Sequence, residues 1–299
     1  MFVCLTVALG TSDSRTDPGE RGFAAMVESG RLQNDDIQEA SGLARSGYHS
    51  DILWTMNDEG PPVLYAIGPD GSDYATLRLS DAENVNWEDL AAFETDGRRF
   101  LLVADVGDNE GRRSNSVIYI VEEPTLSRGE HSEADIAWRI RFTYPDGPLD
   151  CEAAAVDLAN ARILLLAKRS IPATLYELPL RPGRAGIIQA RRIGALDTLP
   201  QPTANDIARA LPDDDWHWQP TAMDLSPDGR IGVVLTYRRI YVYLRRAGES
   251  WASAFARLPQ YLDLAGNREA EAVTLSRDGK AIFVTLEGRH APILRFDRQ

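Results

Sequence analysis

The chain is poor in the residues from which most disulfide frameworks and nitrogen- or sulfur-ligated metal sites are built. Among 299 residues there are two cysteines, Cys4 and Cys151, and four histidines, at 49, 131, 217 and 290. Two thiols make neither a disulfide framework nor a Cys-rich zinc site. Histidines so scattered argue against a His-based metal centre. Basic residues are also scarce: 32 Lys and Arg face 45 Asp and Glu, for a net charge of −13. Such a surface repels phosphates, which argues against nucleic acid or an anionic membrane as the main partner and leaves room for a bound cation. No apolar run is long enough to span a bilayer. The apolar stretch Met1 to Leu9 (MFVCLTVAL) reads either as the tail of a secretory signal without its basic n-region or as a frayed end. The first reading implies a secreted or periplasmic protein. Residues 1–22 are set apart as a leader, and 23–299 form a single domain.

With 43% apolar and 26% charged residues, the composition is that of a soluble globular protein with a full core. One unit recurs in it. Trp87 to Phe93, an Asp96-Gly97 turn and Phe100 to Asp105 read as a hairpin. Similar hairpins start at Glu39, Asp150, Gln219 and Glu269, and third and fourth strands can be read after several of them. The reach from Glu88 to Asp105, Glu152 to Lys168, Thr221 to Tyr237 and Glu271 to Glu287 is 16 or 17 residues each time. Repeats of this size predict an all-β fold, a five-bladed β-propeller. A six-bladed form would need a blade hidden in the Pro- and Asp-rich insert Leu196 to Trp218, where a short helix is expected at Asn205 to Ala210. The last unit lacks a fourth strand, and Phe23 to Val27 is the expected donor that closes the ring.

A propeller lays the first strand of each blade against its axis, so equivalent strand starts converge. Those positions are Ser41, Glu88, Glu152, Thr221 and Glu271. Three carboxylates and two hydroxyls form the oxygen shell of a hard cation. Ca²⁺ is expected over Mg²⁺, because it tolerates an irregular shell. Two residues earlier lie Glu39, Asn86, Asp150, Gln219 and Glu269. The ends of the second strands add Asn57, Asp58, Asp105, Asp108, Lys168, Arg169, Tyr237, Arg238 and Glu287, which should surround the same mouth. A mouth of acids, cations and a tyrosine over a metal suits a small polar or phosphorylated ligand. Asp58, Glu287, Lys168 and Arg169 are the expected catalytic groups. Asn57, Asp105, Asp108, Tyr237 and Arg238 are the expected ligand contacts.

Plainer roles stand beside these. Lys168 and Arg169 can pair with a neighbouring blade's acid, and Asp108 can hold its own loop with Arg112 and Arg113. Cys151 reads as a buried, inert thiol. Trp87, Trp216 and Trp218 read as packing. Asp228-Gly229 and Asp278-Gly279 read as turns.

The series Ser-x-Leu, Glu-x-Leu-Ala, Glu-Ala-Ala, Thr and Glu resembles the calcium-activated nucleotidase (apyrase) family, five-bladed propellers with one axial Ca²⁺. The resemblance puts Ser41, Glu88, Glu152, Thr221 and Glu271 in the calcium-ligand places. It also sets Asn57-Asp58 against an Asp pair and Lys168-Arg169 against an Arg pair. Thr221 replaces a Ser, Asn57 replaces the first Asp, Glu59 stands where the family has Arg, and the loops that hold the nucleotide base find no match. The chain is similar as well to bacterial secreted propellers with Trp-Glu-Asp-Leu-Ala and Gly-Asp-Asn-x-x-Arg segments. The expected activity is Ca²⁺-dependent hydrolysis of a phosphate ester or anhydride. The alternatives are a non-enzymatic binding or scaffolding propeller with a structural Ca²⁺, and a glycosidase, which the ring hydroxyls disfavour.

Overall fold

A computed structural model describes residues 22–183, 186–204, 218–264 and 269–299. Residues 1–21 of the expected leader, the helix at 205–210, Trp216 and His217 lie outside these residues. The protein is all-β, with its strands in several sheets. Four hairpin-connected strands make up most units: β1 (Val27–Arg31), β2 (Ala40–Arg45), β3 (Leu53–Asn57), β4 (Val63–Ile67) and β5 (Asp73–Ser80) open the chain. Next come β6 (Trp87–Thr95), β7 (Arg98–Asp105), β8 (Ser116–Glu122) and β9 (Glu130–Thr143). The third group is β10 (Cys151–Asp157), β11 (Arg162–Ala167), β12 (Ala173–Pro179), β13 (Ile187–Gln189) and β14 (Arg191–Leu196). Then follow β15 (Pro220–Leu225), β16 (Ile231–Thr236), β17 (Arg239–Leu244), the short helix α1 (Trp251–Phe255) and β18 (Gln260–Asp263). The chain closes with β19 (Ala270–Leu275), β20 (Ala281–Leu286) and β21 (Pro292–Asp297).

Three sheets have four strands each: β1-β21-β20-β19, β10-β11-β12-β14 and β15-β16-β17-β18. The other runs β2-β3-β4-β5-β9-β8-β7-β6, with β13 added beside β9. Its end strands β2 and β6 lie side by side, so this sheet nearly closes on itself. The outer strands β5 and β9 join its halves by parallel pairing, from Ala75 opposite Glu130 to Ser80 opposite Asp135. That pairing explains why β9 begins at Glu130 and not at the expected Ile136: the open edge of β5 recruits six further residues.

The strands β2, β6, β10, β15 and β19 are buried along almost their whole length, and each lies against the next, with β19 back beside β2. Runs buried on both faces need apolar or small residues at every step, which the Ala- and Leu-rich segments supply. Buried carboxylates hold these inner strands together. Asp89 is wholly buried; its Oδ2 accepts the amides of Ala154 (2.8 Å) and Met223 (3.0 Å), joining β6 to β10 and β15. Asp224 Oδ2 accepts from Leu275 N (2.9 Å), Thr274 Oγ1 (3.0 Å) and Arg45 Nη1 (2.8 Å), tying β15 to β19 and β2.

The closing strand differs from expectation. Phe23 makes only an isolated bridge to Arg298, and the strand that pairs with β21 is Val27–Arg31. It is fixed by close approach to the turn after β4. Ser29 Oγ donates to Pro69 O (2.6 Å), and a Cβ on Gly30 would lie 2.0 Å from Asp70 O. Both faces of β1 are largely exposed, so no apolar alternation marks it in the sequence.

Candidate functional site

The first two strands of every unit pair in one register. Ala40 faces Asn57, Trp87 faces Asp105, Cys151 faces Ala167, Pro220 faces Thr236 and Ala270 faces Leu286. At the next step the outer strand advances one residue and the inner strand two, so each inner strand carries a bulge. The extra residues are Ser41, Glu88, Glu152, Thr221 and Glu271, the five expected metal ligands. A bulge leaves its residue out of the ladder and re-aims the side chain, a device common beside functional sites. All five are buried.

Ser41 Oγ lies 2.9 Å from Glu88 O and 3.3 Å from Glu88 Oε2, and Thr221 Oγ1 donates to Ala270 O (2.7 Å). The carboxyls of Glu88 and Glu152 are hydrogen-bonded to each other. Burial pushes Glu88 well above the usual carboxylate range, and the neighbouring Glu152 adds to it against the pull of Lys168. Glu152 is raised too, by burial, although Lys168 Nζ sits 3.0 Å from its Oε1. Lys168 therefore pairs with the acid of its own unit, and its ammonium lies 5.4 Å from the centre of the Tyr237 ring. Cys151, next to Glu152, is pushed up to about 12 by burial and donates to Leu166 O, as an inert thiol should.

Beyond the bulges one backbone bond closes the open end of four hairpins. Asp58 N donates to Glu39 O, Gly107 N to Asn86 O, Lys168 N to Asp150 O and Glu287 N to Glu269 O. At the first and last of these ends, Glu39, Asp58, Glu269 and Glu287 lie close enough to act on one another. Asp58 is raised to about 7 by burial, then by Glu39, to which it is also hydrogen-bonded, and by Glu287. Glu287 is exposed as a residue, yet the protein packed round its carboxyl, then Glu269 and Glu39, push it up while Lys168 pulls it down. Arg169 binds Asp150 (2.9 Å) and Asn109 (3.0 Å). Of the expected catalytic set, Asp58, Glu287 and Lys168 share one electrostatic neighbourhood, with Arg169 attached through Asp150.

Several expected ligand contacts hold the scaffold. Asn57 Oδ1 accepts the amides of Gln38 and Glu39, and its amide donates to Asp36 O. Asp108 accepts the amides of Arg112 and Arg113, while Arg113 Nη1 binds Asp105 (2.7 Å). Burial raises Asp105 against that guanidinium. Arg238 O accepts from Leu264 N. Trp87 is fully buried and donates to Glu83 O, and Trp218 lies under Arg239.

Two participants carry no assigned role in the sequence reading. Asp89, one residue past Glu88, is the inter-strand anchor described above, and its neighbour in the motif is the only hint of it. Gly107 is the other: a Cβ there would lie 2.1 Å from Glu88 Oε1 and 2.3 Å from Asn86 Oδ1. Those two oxygens converge only because glycine leaves them space.

No protein-family model matches the chain, and no curated protein matches it in sequence.

The donor chemistry suits a hard cation through Glu88, Glu152 and the two hydroxyls. Gln219, at the register position of Asn86 and Asp150, is wholly buried, and neither of its amide atoms has a partner among the described residues. Among the described residues no three His, Cys, Asp or Glu side chains form a metal-holding group by themselves. A cation here would therefore lean on neutral oxygens as well as the carboxyl pair.

Proposed function

We propose that this chain is a five-bladed β-propeller that binds one Ca²⁺ on its axis, through Ser41, Glu88, Glu152, Thr221 and Glu271. In this reading a small polar or phosphorylated ligand meets the mouth beyond it. The observation that carries the reading is the bulge repeated at the same step of five adjoining inner strands, each presenting an oxygen-bearing side chain. Two buried carboxyls in mutual contact need a proton or a cation to offset their repulsion. Bound Ca²⁺ would supply positive charge at a mouth otherwise dominated by Glu39, Asp58, Glu269 and Glu287. Millimolar Ca²⁺ outside a cell would fill a site of modest affinity, which suits a secreted protein.

The activity this arrangement suits is hydrolysis of a phosphate ester or anhydride, in the manner of the apyrase-like scaffold. Asp58, poised near neutral pH, is the group to take a proton from water. Lys168, beside Glu152, and Arg169, beside Asp150, would offset charge on the ligand.

Protein dialysed against chelator and titrated calorimetrically with Ca²⁺ should show one site, preferred over Mg²⁺ and lost in Glu152→Gln. Phosphate release from nucleotides and sugar phosphates should then require Ca²⁺. A wild-type titration without heat or stoichiometry ends the metal reading; binding without phosphate release ends only the hydrolase.

The Lys168–Glu152 pair favours a second reading, in which the ammonium is the ring's built-in counter-charge and the propeller is a binding scaffold. Lys168→Met separates the two. Ca²⁺ binding that persists or tightens supports the metal, whereas a large fall in melting temperature with no Ca²⁺ binding in either protein supports the lock.

A further inference from the structure

The inner strands have a second end, and a cavity of about 360 Å³ lies there. It forms where β2, β6, β10 and β15 finish, opposite the carboxylate-bearing ends. Its walls are apolar, chiefly Phe93, Val156, Leu225 and Trp251. Most of the surface it offers is apolar, and charged side chains stand around it, a mixture found in small-molecule sites.

The polar groups at its rim are mostly occupied. Arg45 is spent on Asp224 and Ala92 O. Glu123 accepts from Ser46, Gly47 and Trp54. Asp157 accepts from Asn160, and Asp228 from Ser226 within its turn. Arg99 and Arg277 differ. They share the single carboxylate of Glu94, at 3.5 and 3.8 Å, both too long for hydrogen bonds. Arg277 also reaches Gly47 O (2.8 Å). Arg99 lies with its guanidinium over Tyr48, and its Nε–H, the atom that faces Glu94 Oε2 at 3.5 Å, has no hydrogen-bond acceptor among the described residues. A buried donor held only by a long ion pair is under-satisfied, and a nearer acceptor delivered by a ligand would relieve it.

We infer that this pocket binds a small amphipathic organic acid. Its apolar body fills the space beside Phe93, Leu225 and Trp251, and its carboxylate is received by Arg99 with Arg277. The site is independent of the metal ring, from which it is separated by the length of the inner strands.

Three eight-carbon probes test this: octanoate, octanol and octylammonium, titrated into the full chain by calorimetry. Octanoate should bind at one per chain, more tightly than octanol, with octylammonium weakest. Loss of one charge-assisted contact in Arg99→Gln should weaken octanoate about tenfold and leave octanol unchanged. Ala159 lines the cavity from an exposed 3₁₀ turn, so Ala159→Trp should block all probes without disturbing the fold. Thermal melts confirm that both variants are folded. Octanoate that fails to bind at millimolar concentration overturns the inference. So does octylammonium binding equally well, or binding indifferent to Ala159→Trp.

Discussion

Burial, Glu39 and Glu287 together raise the Asp58 carboxyl to about 7, above its ordinary 3.8. The folded state then holds a proton that the unfolded chain has already released. Its contribution to stability is present below about pH 4 and is lost as pH rises through about 7, after which it is flat. Melting temperature should therefore fall between pH 5 and 7.5, and Asp58→Asn should flatten that fall. An unchanged slope would place the titration elsewhere. Asp89 tests a different kind of residue. Replacing it by Ala strands the amides of Leu90, Ala154 and Met223, all buried, and should cost about 3 kcal/mol or more in urea unfolding. A loss below ~1 kcal/mol would mean that the inner strands do not depend on this anchor.

At the scale of elements, the closing strand β1 joins the N-terminal segment to β21 and seals the edge of the last unit. Gly30→Ala would drive a methyl into the Asp70 carbonyl. Backbone cannot yield as a flexible side chain can, so the expected loss is about 2 kcal/mol. It should appear as a lower melting temperature and as early proteolysis near residue 30. Cleavage no faster than in the wild type would show that β1 is dispensable. The inner hairpins make the opposite case, since their repeated bulge is built from short local pairings. Their strand ends were legible because Glu-, Ser- and Thr-bearing starts stand at a nearly constant distance from the second strand's polar end. β1 and β18 were not, because edge strands with exposed faces carry no alternation. The helix Trp251–Phe255 left no earlier mark either: five residues are too few for a helical period to show.

For the molecule as a whole, Ca²⁺ at a hundred times its Kd should add about 2.7 kcal/mol of stability if it binds only the folded ring. EDTA should reverse the shift, and Glu152→Gln should abolish it. A melting temperature indifferent to Ca²⁺ in the wild type would point to Lys168 as the ring's counter-charge. Each inner strand lies beside the next, with β19 back beside β2, and unit one is joined to unit two through the parallel pairing of β5 and β9. Unfolding should accordingly be one cooperative event by both far- and near-ultraviolet signals.

Local pattern was enough to set the strand runs of the inner hairpins, the turns at Asp228-Gly229 and Asp278-Gly279, and the equivalence of Ser41, Glu88, Glu152, Thr221 and Glu271. Each of these depends on neighbours within about twenty residues, where period, turn chemistry and spacing act directly. Which charges neutralise which was decided in three dimensions. Lys168 took Glu152 of its own hairpin and not a neighbouring unit's acid, Arg45 found Asp224, and Asp89 reached strands 65 and 134 residues away. Burial makes an unpartnered charge costly, and the partner that relieves it is whatever the packed sheets bring near, a relation that no linear spacing records.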